Sequence, residues 1–65
     1  MQLQYLLNFI DKRDKDIVYL KCHIDFWQIY CKKSIVLIDT SKIPLEGHLM
    51  AFAKLKEKCH FELVN

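Results

Sequence analysis

IVYLKCHIDF, residues 17–26, is the run on which the fold turns. Its apolar residues recur with period two. Val18, Leu20, Cys22, Ile24 and Phe26 share one face, and Ile17, Tyr19, Lys21, His23 and Asp25 share the other. Alternation of this kind is the mark of a half-buried strand, because successive side chains point to opposite sides of a sheet. The first face is expected in the core. The second is half polar, as in a sheet covered on one side only.

Upstream, DKRDKD (residues 11–16) has no apolar residue and reads as a solvated connector. Before it, residues 2–10 alternate again, with Leu3, Tyr5, Leu7 and Phe9 on one face. The alternation predicts a strand. A helix is the rival, since Leu3, Leu6, Leu7 and Ile10 also make a 3.6-residue stripe. Downstream, residues 27–31 either continue the strand with a bulge that shifts its apolar face or form a short helical turn. Lys32-Lys33-Ser34 makes a turn. The β-branched, apolar run Ser34–Thr40 reads as a strand covered on both faces.

A helix is predicted over residues 44–59. Pro44 suits a first helical position, Glu46 meets the positive end of the dipole, and Lys54, Lys56 and Lys58 sit near the negative end. Leu45, Leu49, Phe52, Leu55 and Cys59 form its expected inward stripe. Gly47 in the first turn is expected to allow close packing on the sheet. Phe61 and Leu63 alternate with Glu62 and Val64 in a closing strand. A helix joining two parallel strands of one sheet would make a right-handed crossover.

These elements predict one α+β domain spanning residues 1–65. It is a small antiparallel sheet of three to four strands with one C-terminal helix packed on one face. The helix stripe is expected to meet Val18, Leu20, Cys22, Ile24, Val36 and Ile38.

Composition adds a constraint. Of 65 residues 52% are hydrophobic, with one Gly and one Pro. A chain of about 60 residues buries only about 60% of the surface that it exposes unfolded. The surplus apolar surface predicts a partner: a second copy in a homo-oligomer, or a larger target. The formal net charge of +2 is too balanced for a strongly basic nucleic-acid footprint. No apolar run approaches the roughly 20 residues of a membrane span, so no membrane partner is expected. Met1-Gln2-Leu3-Gln4 lacks the basic start of a signal peptide. Cys22, Cys31 and Cys59 are an odd set, which cannot close entirely into internal disulfides. Together these features predict a reducing, cytoplasmic setting. Richness in Lys, Ile and Leu suits an AT-rich genome, such as that of a virus or mobile element.

Catalytic chemistry finds no footing. Cys22-His23 and Cys59-His60, with Cys31 and His48, are the only ligand-rich features. Zinc needs four convergent ligands, and neighbours on a strand face opposite ways. Cys59 at a helix C-terminus and Cys22 on an inward face are poor nucleophiles. Asp25 and Asp39 could approach one another near strand ends, with nothing to fix their geometry. One glycine cannot build a phosphate loop. No catalytic residue, metal or cofactor is assigned, and the chain is not expected to be an enzyme.

What remains is binding. Ile17, Tyr19, His23, Trp27 and Tyr30 are the candidate protein interface, because Tyr and Trp are the usual anchors of such surfaces. The expected function is a small interaction protein that inhibits or modulates a larger protein target. The alternative is a nucleic-acid-binding module using a strip of Lys32, Lys33, Lys42, Lys54 and Lys58, with Tyr30 or Trp27 as stacking platform. Residues 34–65 also resemble, in outline, the strand–helix–strand half of STAS domains, with Asp39 and Ser41 matching an Asp-x-Ser after a central strand. The Asp-Ser-Ser-Gly that those domains phosphorylate has no counterpart, so no functional residue carries over.

Overall fold

The computed structural model describes residues 3–13 and 15–64. Met1, Gln2, Asp14 and Asn65 lie outside the described residues, and with them the start of the expected first strand and part of the 11–16 connector. The elements run α1 (Leu3–Lys12), β1 (Ile17–Cys22), β2 (Phe26–Cys31), β3 (Ile35–Asp39), α2 (Leu45–Lys56) and β4 (His60–Leu63). The four strands form one sheet in the order β3-β2-β1-β4. β1–β2 and β2–β3 are antiparallel, whereas β4 lies parallel to β1. The architecture is α+β as expected, but the sheet is mixed and the described residues form two helices.

Residues 3–12 are a helix, not a strand. Leu6, Leu7 and Ile10 are buried together on one stripe, with Leu3 packed against the core. A strand would have sent Tyr5 inward with Leu7, yet Tyr5 is 62% exposed. Gln4 Nε2 donates to Asn8 Oδ1 one turn on, at 3.1 Å.

The run 17–26 is broken into β1, a turn and the start of β2. A bulge lies between Ile17 and Tyr19 and shifts the phase by one residue. Ile17, Leu20 and Cys22 therefore face the core, while Val18 is exposed. Ile24 lies in the turn at 88% exposure, and Phe26 falls on the opposite face of β2 from buried Trp27 and Ile29. Residues 27–31 are thus strand and no helical turn. β3 is covered on one face only: Ile38 is buried and Val36 packs against the core, but Ile35 and Leu37 are exposed.

Pro44 is the N-cap residue of α2, just outside the helix, and its carbonyl accepts the N–H groups of Gly47 and His48. The segment that follows contains no β-branched residue, which leaves rotamer freedom intact in a helix. Its buried residues are Gly47, Ala51 and Leu55. Of the expected stripe Leu45, Leu49, Phe52, Leu55 and Cys59, Leu55 is buried and Phe52 and Cys59 pack against the core, but Leu45 and Leu49 are 75% and 62% exposed. Small residues win this face because α2 must pack beside α1. A Cβ at Gly47 would stand 2.7 Å from Ile43 Cγ2 and 3.3 Å from Leu3. The close approach that glycine permits is therefore to Leu3 of α1 and to Ile43.

Both helices contribute to one core against the sheet, with Leu6, Ile10, Leu20, Ile29, Ile38 and Leu55 its largest fully enclosed apolar residues. The other face of the sheet carries no layer among the described residues. The radius of gyration is 10.6 Å, against about 10.7 Å for a compact chain of this length. Loose packing therefore does not explain the apolar side chains left outside. Eleven large ones are exposed among the described residues.

Candidate functional site

Eight of those eleven residues group on two surfaces. One is the uncovered face of the sheet. Strand pleating places Tyr19 and Lys21 of β1, Phe26, Gln28 and Tyr30 of β2, and Ile35, Leu37 and Asp39 of β3 on it. His60 and Glu62 of β4 complete it, through their pairing with Tyr19 and Lys21.

Its centre is aromatic. Tyr19 and Tyr30 are direct cross-strand partners, edge to face with centroids 5.9 Å apart. This is a preferred arrangement, worth about 0.5–1.5 kcal/mol beyond the area that it buries. Lys21 Nζ lies 5.8 Å from the Tyr30 ring centroid. The Tyr19 hydroxyl donates to Glu62 Oε1 at 2.9 Å. That bond, with the neighbouring carboxylate charge, pushes the Tyr19 phenol above its ordinary range. At one end, the His23 ring stacks on Phe26 at 4.2 Å and its Nε2 hydrogen-bonds Gln28 Oε1 at 2.9 Å. At the β3 edge, Asp39 Oδ1 accepts from Ser41 Oγ at 2.6 Å and Ser41 N at 3.0 Å. Those two bonds, with Lys42 nearby, hold the Asp39 carboxyl below the ordinary carboxylate range.

Of the expected interface residues, Tyr19, His23 and Tyr30 come together here. Ile17 and Trp27 do not. They are 4% and 5% exposed and belong to the core on the helix side. The bulge turns Ile17 inward, and Trp27 sits one residue out of phase with Phe26. The face also holds Phe26, Gln28, Leu37 and Glu62, which the linear sequence did not single out. Period two counted back from Tyr30 reaches Gln28 and Phe26, once the turn at residues 23–25 is recognised.

The expected lysine strip is dispersed. Lys32 and Lys33 lie in the β2–β3 turn, and Lys42 follows the far end of β3. Lys54 pairs with Asp11 of α1 at 2.8 Å, and Lys58 lies beyond the end of α2. Five residues of β3 separate the turn from the Lys42 loop, roughly 17 Å of extended chain.

The Cys and His residues are also scattered. Cys22 is buried beneath the helices while His23 stacks on Phe26. Burial, helped by neighbouring Cys59, pushes the Cys22 thiol up to about 11. Burial also raises the Cys59 thiol, and its Sγ lies 3.5 Å from Leu55 O. His48 Nε2 hydrogen-bonds Thr40 O at 2.7 Å. Among the described residues no group of three or more His, Cys, Asp or Glu side chains could hold a metal ion. None of their helices is long and apolar enough to cross a membrane.

The second surface runs along α2 and β4 on the helix side. Leu45, Leu49, Met50, Phe61 and Leu63 are all exposed there. Phe52 meets Phe61 edge to face at 4.8 Å. An open apolar cleft of about 230 Å³ lies between Leu49, Phe52, Trp27 and Leu63.

Compared with known proteins, the chain matches no protein-family model, no curated protein and no solved structure.

Proposed function

We propose that this chain is a non-enzymatic binding protein whose uncovered sheet face docks on a larger protein target and inhibits or modulates it. One observation carries the reading: a compact chain leaves the Tyr19–Tyr30 pair, Phe26, Ile35 and Leu37 together on a face that no other described residues cover. Exposed apolar patches rimmed by polar residues mark binding surfaces. Tyrosines with satisfied or available hydroxyls are strong anchors within one. Three free thiols suit action in a reducing cytoplasm, and a viral or mobile-element origin suits the composition.

A second reading has its own observation. Tyr19 and Tyr30 could stack bases of a single strand, with Lys21 beside them and the Lys32–Lys33 turn beyond. The charge on the face argues against it. Asp39 and Glu62 outnumber Lys21, and Glu62 stands beside the Tyr19 hydroxyl where a phosphate would pass.

Affinity capture from cells that express the protein tests both. The wild type is compared with Tyr30→Asp, with Leu37→Lys and with the helix-side variant Leu49→Lys. The proposal expects a protein target held by the wild type and by Leu49→Lys and lost from the two sheet variants. Retention by all of them removes the sheet face as the site. Salt-sensitive recovery of nucleic acid without protein favours the second reading.

A further inference from the structure

β4 is an edge strand of four exposed residues, HFEL, with no proline and no bulge to protect it. Unprotected edges of this kind are templates for pairing with another chain. From the geometry of this edge we infer that β4 pairs antiparallel with β4 of a second copy about a two-fold axis through Phe61. This assembly goes beyond the target-binding reading: it runs along the β4 edge and shares only His60 and Glu62 with the margin of the uncovered face.

The backbone permits it. Val64 N–H donates to Cys22 O at 2.8 Å, so the even-numbered residues of β4 direct their peptide groups at β1. Phe61 and Leu63 therefore direct theirs outward, toward an incoming strand. A two-fold antiparallel pair must keep each side chain opposite one on its own face of the sheet, so the axis passes through a residue. Two registers are open to the centre of the strand. Centred on Glu62, the two Glu62 carboxylates would face each other, and like charges directly opposite are destabilising. Centred on Phe61, His60 faces the partner's Glu62 on the uncovered side, twice by symmetry. Phe61 then faces the partner's Phe61 on the helix side and exchanges both peptide hydrogen bonds with it, while Leu63 reaches the partner's Cys59 just beyond the strand, whose N–H already donates to Leu55 O. Avoidance of the Glu62–Glu62 contact thus selects the register centred on Phe61.

The flanking surface fits a second copy as well. A stable interface needs about 800 Å² per partner, about a sixth of the molecule's 4613 Å². The helix-side rim beside β4 supplies exposed Leu63, Leu49 and Leu45. The opposite edge, β3, offers less. On its helix side Ile38 is already buried and Val36 half-buried, and its Asp39 carboxylate is tied to Ser41.

Light scattering on the size-separated chain tests the inference. At about 100 μM the wild type is expected at twice 7.8 kDa. E62K and H60E each place like or mismatched charges in both pairs, and each is expected to raise the dimer dissociation constant about tenfold. The swap H60E/E62K places opposite charges in both pairs and should recover the dimer, whereas L37K on β3 should leave it intact. Circular dichroism checks that each variant is folded. H60E carries the test if E62K disturbs Tyr19, because His60 is exposed at the edge. A monomeric wild type, a dimer indifferent to H60E and E62K, or a dimer lost in L37K overturns the inference.

Discussion

Tyr19 and Glu62 stand 43 residues apart in the chain and are joined by a 2.9 Å hydrogen bond from phenol to carboxylate. The bond spans the seam between β1 and β4. It keeps the phenol protonated, because a tyrosinate would lose the bond and face a carboxylate. A pKa raised on folding contributes stability below the ordinary value of 10, which is lost as pH rises through the folded value. E62Q is expected to lower the Tyr19 titration toward the ordinary phenol value. Tyrosinate absorbance against pH measures it, with Y19F identifying which phenol is Tyr19. An unchanged titration in E62Q would show that the bond does not persist in solution.

Cys22 titrates in the same alkaline region for a different reason. Its thiol is pushed up to about 11, first by burial and second by Cys59. The unfolded thiol ionises near 9, so the folded protein loses stability between about pH 9 and about pH 11. C22A has no such group. Urea midpoints of wild type and C22A, followed upward through that window, should converge or cross as the wild type falls. A constant difference across the window contradicts the buried placement of the thiol.

At Gly47 two rules oppose each other. Glycine inside a helix usually costs about 0.5–1 kcal/mol relative to alanine, so G47A ought to stabilise. Here the added methyl would lie 2.7 Å from Ile43 Cγ2 and 3.3 Å from Leu3. Ile43 is β-branched and buried, and cannot swing away cheaply. Overpacking of this kind costs about 1–3 kcal/mol. The net expectation is destabilisation, read as a lower thermal midpoint, and a higher midpoint for G47A would refute the tight α1–α2 contact.

Thr40 offers the opposite case. It is 1% exposed, and its hydroxyl has no hydrogen-bond partner. Its backbone is well used: the N–H donates to Asp25 O and the carbonyl accepts from His48. T40V keeps the shape and those bonds and removes the stranded hydroxyl. A buried unpaired polar group costs about 1–3 kcal/mol, so T40V should gain about 1 kcal/mol in chemical denaturation. A loss of stability would mean that the hydroxyl finds a partner in solution.

Much of the fold is legible in local pattern. β1 and β4 follow from alternation, β3 from its β-branched apolar run, and α2 from the Pro44–Glu46 start and an unbroken run of helix-favouring residues. α1 is not decided locally, because Leu3, Tyr5, Leu7 and Phe9 fit one period while Leu3, Leu6, Leu7 and Ile10 fit the other. The choice is tertiary: as a helix, α1 lays Leu6 and Ile10 over the sheet beside α2. The bulge at Val18 is invisible to a periodicity argument, since one inserted residue inverts every side chain before it. That single slip explains why Ile17 was expected outside and Val18 inside. The inward face of α2 was hidden for another reason. Apolar residues surround this helix, so hydrophobicity alone cannot choose a stripe, and the small residues Gly47 and Ala51 choose it by allowing α1 to approach. Tyr19 and His23 were legible as surface candidates by alternation and Tyr30 as an aromatic anchor, whereas Phe26 and Leu37 needed the turn at 23–25 and the exposure of β3.

The parallel seam between β1 and β4 has a kinetic consequence. The first three strands are joined by short turns and can zip locally. β4 must wait until α2 has spanned them, because only then does its end return to β1. Closing so long a loop costs chain entropy before any contact rewards it. The last seam to form is therefore the one that carries the candidate edge, and a nascent molecule presents its hairpin meander before it can present β4.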